Sequence, residues 1–213
     1  MTANQAVADG DDKEGAVNDR FDPKFRDLKR RVIEETLPSA LVARAVQGII
    51  EGDFVVGGLL KYIGFVKLKA VKRFDIAANF KKGKVVGGRR IDWIGDNFHE
   101  HFDDLVEVDV PERTVYIWEL LKDSLDEPII KLLGGADESE TLTSLAHTFQ
   151  MMELGEKSRG RLDGYANFGY KNSPKDGTLW VPFWLVFGGG FGVEAYSSSD
   201  PREWSVGFRV SGG

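Results

Sequence analysis

The sequence predicts an α+β protein with a helical N-terminal part, a mixed middle and a C-terminal antiparallel β-meander covered by a helix. Three observations carry this. Leu142, Leu145, Phe149 and Met152 recur at helical spacing. Val66, Leu68 and Ala70 alternate with Lys67 and Lys69, the period of a half-buried strand. From Asp163 onward, four apolar runs are separated by short stretches rich in Gly, Ser and Pro, the pattern of hairpins. Three segments are expected: an acidic disordered tail at 1–20, a helical then basic strand-rich segment at 21–88, and an α+β domain at 89–213.

The first nineteen residues lack aromatics and are rich in Asp, Gly, Ala and Asn, too little apolar surface to offset the entropy of ordering. Asp22-Pro23 reads as an N-cap with Pro at the first helical position, and Phe25, Leu28 and Val32 form a stripe. Pro38 interrupts it, Ser39 caps a second helix through Ile50, and Gly52 ends that one. Phe54–Phe80 is strand-like, and Lys81-Lys82-Gly83-Lys84 is a turn. Val85-Val86 and Arg90–Ile94 continue as strand around a bend at Gly87-Gly88. A short helix is expected over Phe98–Leu105, then strands at Val106–Val110 and Val115–Leu120.

Ser124-x-x-Glu127 has capping-box spacing and predicts a helix over Ser124–Leu133, with Gly134 behind it. A longer helix is expected from Ser139 to Leu154, stopped by Gly155. The expected meander strands are Tyr165–Tyr170, Thr178–Phe187, Phe191–Tyr196 and Trp204–Val210. Thr178–Phe187 is apolar on both faces: Val181, Phe183, Leu185 and Phe187 on one, Trp180, Trp184 and Val186 on the other. One face can take the helix, and the second must meet other protein, a ligand or another subunit. Pro182 cannot donate to a ladder, so this strand is expected to be bulged or at an edge.

The chain has 213 residues, 42% hydrophobic and 29% charged, and no cysteine. That composition excludes collagen-like and disulfide-scaffold classes. The missing cysteine also removes thiol nucleophiles, Cys-ligated zinc and iron–sulfur clusters, and it fits a reducing, cytoplasmic location. No secretory signal is visible at the start, and no apolar run approaches the ~20 residues of a membrane span. The net charge of −6 is unevenly spread: residues 61–90 hold ten Lys or Arg and one acid, a local charge of +9.

Several stretches lie in a recurring order: Ile94-Gly95-Asp96-Asn97-Phe98, Ile129-Ile130-x-Leu132-Leu133-Gly134-Gly135, Leu142-x3-Ala146-His147, Gly164-Tyr165-Ala166-Asn167-Phe168, Asp176-Gly177-Thr178-Leu179, Gly192-Val193-x-Ala195 and Asp200-Pro201-x-x-Trp204. In these, residues 89–213 resemble a group of uncharacterised proteins from small-genome candidate-phylum bacteria, a resemblance that implies no activity. Gly189-Gly190 and Gly207-Phe208-Arg209-Val210 resemble the ending of the C-type-lectin-like and formylglycine-generating-enzyme fold. Without cysteine, that likeness implies at most a binding version.

The expected function is a non-enzymatic binding or interaction protein whose partner is another protein or a second copy, with no cofactor and no membrane. Trp180, Trp184, Tyr196 and Trp204 concentrate aromatic area, as cores and binding surfaces both do. The alternative is nucleic-acid binding through Lys67, Lys69, Lys72, Arg73, Lys81, Lys82, Lys84, Arg89 and Arg90, interleaved with Phe65, Phe74 and Phe80. Lysines would meet phosphates and rings would stack bases, although a solvated strand face has the same pattern. A third reading is a metal-dependent enzyme using His99 and His101, followed by Asp103-Asp104. The two histidines share a face in a strand but diverge by ~200° in a helix. The glycine pairs lack phosphate-loop spacing, and no nucleophile elbow is present.

Overall fold

A computed structural model describes residues 48, 55–135, 141–158, 162 and 166–212. Contacts divide the chain into two units, Met1–Ile50 and Glu51–Gly213, and every described residue except Gly48 lies in the second. The expected tail, the helices over 21–50 apart from Gly48, and the start of the 139–154 helix lie outside the described residues.

Alternation builds the strands. They are β1 (Val55–Val56), β2 (Leu60–Leu68), β3 (Val71–Asp75), β4 (Val85–Val86), β5 (Arg89–Ile94), β6 (Val106–Val110) and β7 (Arg113–Leu120), then β8 (Asn167–Phe168), β9 (Lys171–Asn172), β10 (Leu179–Phe187), β11 (Gly190–Ser197) and β12 (Arg209–Gly212). The described residues are mixed α/β and mostly sheet. One open ten-stranded sheet runs β1-β2-β7-β12-β8-β10-β11-β5-β4, with β9 also on β10; β3 and β6 form a separate antiparallel pair. The β12–β8 and β11–β5 pairings are parallel and the others antiparallel.

Residues 55–88 belong to the same body as the rest, because β2 pairs along its length with β7 and β4 pairs with β5. The boundary expected at residue 88 is therefore absent. The C-terminal strands are not a meander either. The β10–β11 hairpin forms as expected, but the last strand lies between β7 and β8 instead of beside β11. β11 takes β5 on its other side, so that edge is already filled.

Helices α1 (Ile76–Asn79), α2 (Asp96–Phe102), α3 (Asp126–Leu133) and α4 (Leu145–Leu154) cover the sheet. α4 starts later than expected because Ser144 is its N-cap, accepting from His147 N, while Leu142 bridges to Tyr170. The capping box at Ser124 does not form. Ser124 is bonded in both directions to the Trp204 backbone, so α3 begins at Asp126 without a side-chain cap.

Two cores result, one on each face. The first joins Ile91, Ile94, Phe191, Val193 and Trp184 of the sheet to Phe98 and Phe102 of α2, Phe80, and Phe149 and Met152 of α4. The second joins Leu60, Leu120, Val181, Phe183 and Val210 to Ile129 and Leu133 of α3 and to Trp204. β10 therefore buries both its faces inside the chain, at least over its first two thirds.

Pro182 sits in the middle of this strand, neither at an edge nor at a bulge. It pairs with Ala195 on one side and accepts from Gly169 N at 3.2 Å on the other. Paired antiparallel residues exchange two bonds, and Pro182 has no N–H to return. The ladder to β8 and β9 is interrupted there while its register runs on unbroken, from Trp184↔Asn167 to Trp180↔Lys171.

Candidate functional site

The four aromatics expected to meet a partner are divided by the fold. Trp184 is 1% exposed, with its ring edge-on to Phe191 at 5.6 Å in the first core. Trp204 is 3% exposed, stacked on Phe168 at 4.3 Å in the second. Neither is available to a partner. Half-buried Trp180 lies against the His101 ring at 3.7 Å, and half-buried Tyr196 packs on Phe183 and carries Arg202 over its face at 3.5 Å. Core packing explains most of this aromatic area.

The exposed apolar area lies at the far end of the same strands. On the sheet face of the second core, α3 and Trp204 cover Val181 and Phe183, half-buried Leu185 packs at the margin of that core, and Phe187 lies outside it. Phe187 is 77% exposed. Gly190 and Gly192 stand opposite Phe187 and Leu185 on β11, and Gly192 stands opposite Trp93 on β5. With no side chain at 192, the Trp93 ring settles about 3.5 Å from where a Cβ would be, and Trp93 remains 49% exposed. Val85, 64% exposed, pairs with Arg90 beside them. Arg90 and Asp92 form an exposed ion pair at 2.6 Å, and the Asp92 carboxylate occupies the space above Gly190. The outcome is an uncovered apolar corner, floored by glycine and rimmed by one charge of each sign.

Compared with known proteins, the chain matches no family model, no curated protein and no solved structure.

The sequence points to part of this corner. A double-faced apolar strand running into Gly188-Gly189 signals a hairpin whose last side chains project beyond the covering helix. Trp93 carries no such signal, because its placement depends on the parallel β5–β11 pairing and the register shift next to it.

The basic segment is distributed over several elements. Lys67, Lys69, Lys72, Arg73, Lys81, Lys82 and Arg90 are exposed, and Lys84 and Arg89 are half-buried. Two of its three rings are not available for stacking: Phe80 and Phe74 are buried in the first core. Lys67 and Lys69 line an open groove of about 540 Å3 together with Lys157, Phe74, Phe149 and Leu154. Lys84 lies 5.5 Å over the Phe149 ring and bonds Asn79 Oδ1.

His99 and His101 fall on α2, so they diverge. His99 Nδ1 reaches Asp103 at 2.9 Å one turn on, while His101 Nδ1 meets Ser173 Oγ at 3.1 Å on the opposite side. The two do not form a chelating pair. Among the described residues no group of three or more His, Asp or Glu is placed to hold a metal ion. No helix among the described residues is long and apolar enough to cross a membrane.

A buried carboxylate fastens two layers. Glu107 accepts from Leu145 N and Ala146 N at the start of α4 and from Lys171 Nζ at 2.7 Å, satisfying helix donors that otherwise lack partners. His147, in the first turn of α4, is buried with its Nε2 unbonded. Burial, followed by the Arg113 charge, holds its imidazole below the ordinary value of 6.5, so it is neutral in the fold. A lowered histidine contributes stability that is present above 6.5 and is lost as pH falls through the folded value. Acidification from pH 7.5 to 5.5 is expected to lower the Tm more in the native chain than in His147→Leu, read by thermal melts across that range.

Proposed function

We propose that this chain is a non-catalytic interaction module that associates with a second copy of itself through the corner formed by Leu185, Phe187, Trp93 and Val85. The observation that carries the reading is Phe187, 77% exposed beside a half-exposed Trp93 on a sheet face that is covered elsewhere. Contiguous exposed apolar area of this kind marks contact surfaces, and aromatic anchors supply most of the energy of such contacts. A two-fold interface must be self-complementary. Arg90 and Asp92 are paired with each other on the rim, so the rim carries no net charge that would repel the same surface of a second copy.

The test is light scattering after chromatography over a wide concentration range. The native chain is expected to dimerise with rising concentration. Phe187→Ser and Trp93→Ser are each expected to weaken the dimer tenfold or more, about 1.4 kcal/mol, without lowering the Tm, because neither ring belongs to the cores. A chain that stays monomeric at millimolar concentration, or a dimer indifferent to both substitutions, overturns the reading.

A further inference from the structure

The groove beside α4 offers a second surface, independent of the corner. It runs between the end of β2, the start of β3 and α4, and its volume of about 540 Å3 lies within the roughly 300–1,000 Å3 usual for ligand sites. Its floor is Val71, Phe74, Phe149 and Leu154, and its rim is Lys67, Lys69 and Lys157 against one acid, Glu153. The wall bearing Lys69 is fixed. The Gln150 amide accepts from Lys69 N at 2.8 Å and donates to Lys69 O at 2.9 Å, joining the strand end to α4 as a neighbouring strand would. The groove is therefore formed in advance, which limits the ordering that binding has to impose. Lys67 also borders a second cleft of about 260 Å3, where Arg113 and Glu112 add one charge of each sign.

We propose that this groove binds an acidic peptide segment of a partner protein, with aliphatic anchors on the apolar floor and carboxylates on the lysines. Three cations over a floor of aliphatic and aromatic side chains complement a ligand that is anionic and apolar along one face, as in helix-in-groove recognition. A single-stranded nucleic acid has the charge but needs ring faces for its bases. Here Phe74 and Phe149 pack on each other at 5.4 Å, Phe80 closes on Phe149 edge-to-face at 5.4 Å, and Lys84 stands over the Phe149 ring. The rings are engaged with one another, and the floor presents hydrocarbon for anchors.

The experiment is selection of a displayed library of random 12-residue peptides on the full chain, followed by anisotropy titration of the most enriched peptide. Enrichment of Asp and Glu together with spaced Leu, Ile or Phe is expected. Lys69→Glu/Lys157→Glu is expected to weaken that peptide tenfold or more, and replacing its aliphatic residues with Ser to do the same. Both substituted lysines are exposed, so the variant is expected to keep its circular dichroism spectrum and Tm; Lys69→Gln/Lys157→Gln supplies a milder variant if it does not. Enrichment without acidic residues, affinity unchanged in the lysine variants, or displacement of the peptide by an equal concentration of 12-nucleotide single-stranded DNA each overturns the proposal.

Discussion

Replacing Gly87 with Ala is expected to destabilise the chain by about 2–6 kcal/mol. Two effects add. Gly87 has φ +56°, a conformation that strains any residue bearing a Cβ by about 1–3 kcal/mol. A Cβ there would also lie 2.7 Å from Glu153 O and 2.9 Å from Met152 O, carbonyls in the last turn of α4. Those are backbone atoms held by a helix, so they cannot swing aside as a side chain would, and overpacking contributes about 1–3 kcal/mol. Gly88 separates the two effects. Its φ is +88°, but nothing lies within 4 Å of a Cβ there, so Gly88→Ala is expected to show only the conformational part, about 1 kcal/mol. Urea unfolding of the two variants beside the native chain measures the difference. Equal losses would show that the β4–β5 turn does not rest on α4.

The second large effect is expected at Asp126. Its Oδ1 accepts from Tyr170 Oη at 2.7 Å and from Trp204 Nε1 at 2.8 Å, all three residues being buried. The contact ties the first turn of α3 to the strand bridge at Tyr170 and to the segment before β12. Asp126→Ala leaves two buried donors unpaired, each worth about 1–3 kcal/mol, so a loss of about 2–6 kcal/mol is expected by denaturant titration. Burial raises the Asp126 carboxyl above its ordinary 3.8, against the pull of the two hydrogen bonds. The folded chain then binds this proton more tightly than the unfolded one. The group's contribution to stability is full below 3.8 and is lost as pH rises through the raised value. Asp126→Asn keeps an acceptor and removes that slope, so its stability measured at a series of pH values above 3.8 is expected to vary less than that of the native chain. A slope that is the same in both would assign the effect to another group.

Local structure was largely legible. Val66 and Leu68 are buried while Lys67 and Lys69 are exposed, as their alternation requires, and the expected strands at Val106–Val110 and Val115–Leu120 are both present. The turns at Gly87-Gly88 and Gly188-Gly189 rest on backbone conformations that glycine adopts freely, with φ positive at all four residues. Misreadings arose where a local signal met a distant competitor. Ser124 has capping-box spacing, but its backbone is taken by Trp204. Pro182 marks an edge by its missing donor, yet the ladder absorbs that single gap while both flanking pairs hold.

The candidate surfaces were legible only in part. The excess apolar area of residues 178–187 was visible, and the fold divides it into a covered portion and an exposed end at Phe187. The lysines at 67 and 69 were visible too, but the third rim lysine, Lys157, is distant in sequence and joins them only because Gln150 binds α4 to the end of β2. For Trp184 and Trp204 the sequence favours core over surface without deciding it, and only the elements packed against each face decide between the two.

By itself the sequence determined where most strands and turns lie, because alternation and glycine chemistry act between near neighbours in the chain; it missed the helical turn Ile76–Asn79 and placed the last strand at 204–210 instead of Arg209–Gly212. The tertiary structure decided the order of the strands, which end of β10 stays uncovered, and which lysines face one groove. Those depend on contacts between residues far apart in the chain, as when β12 pairs between β7 and β8, with β8 and β10 separating it from β11.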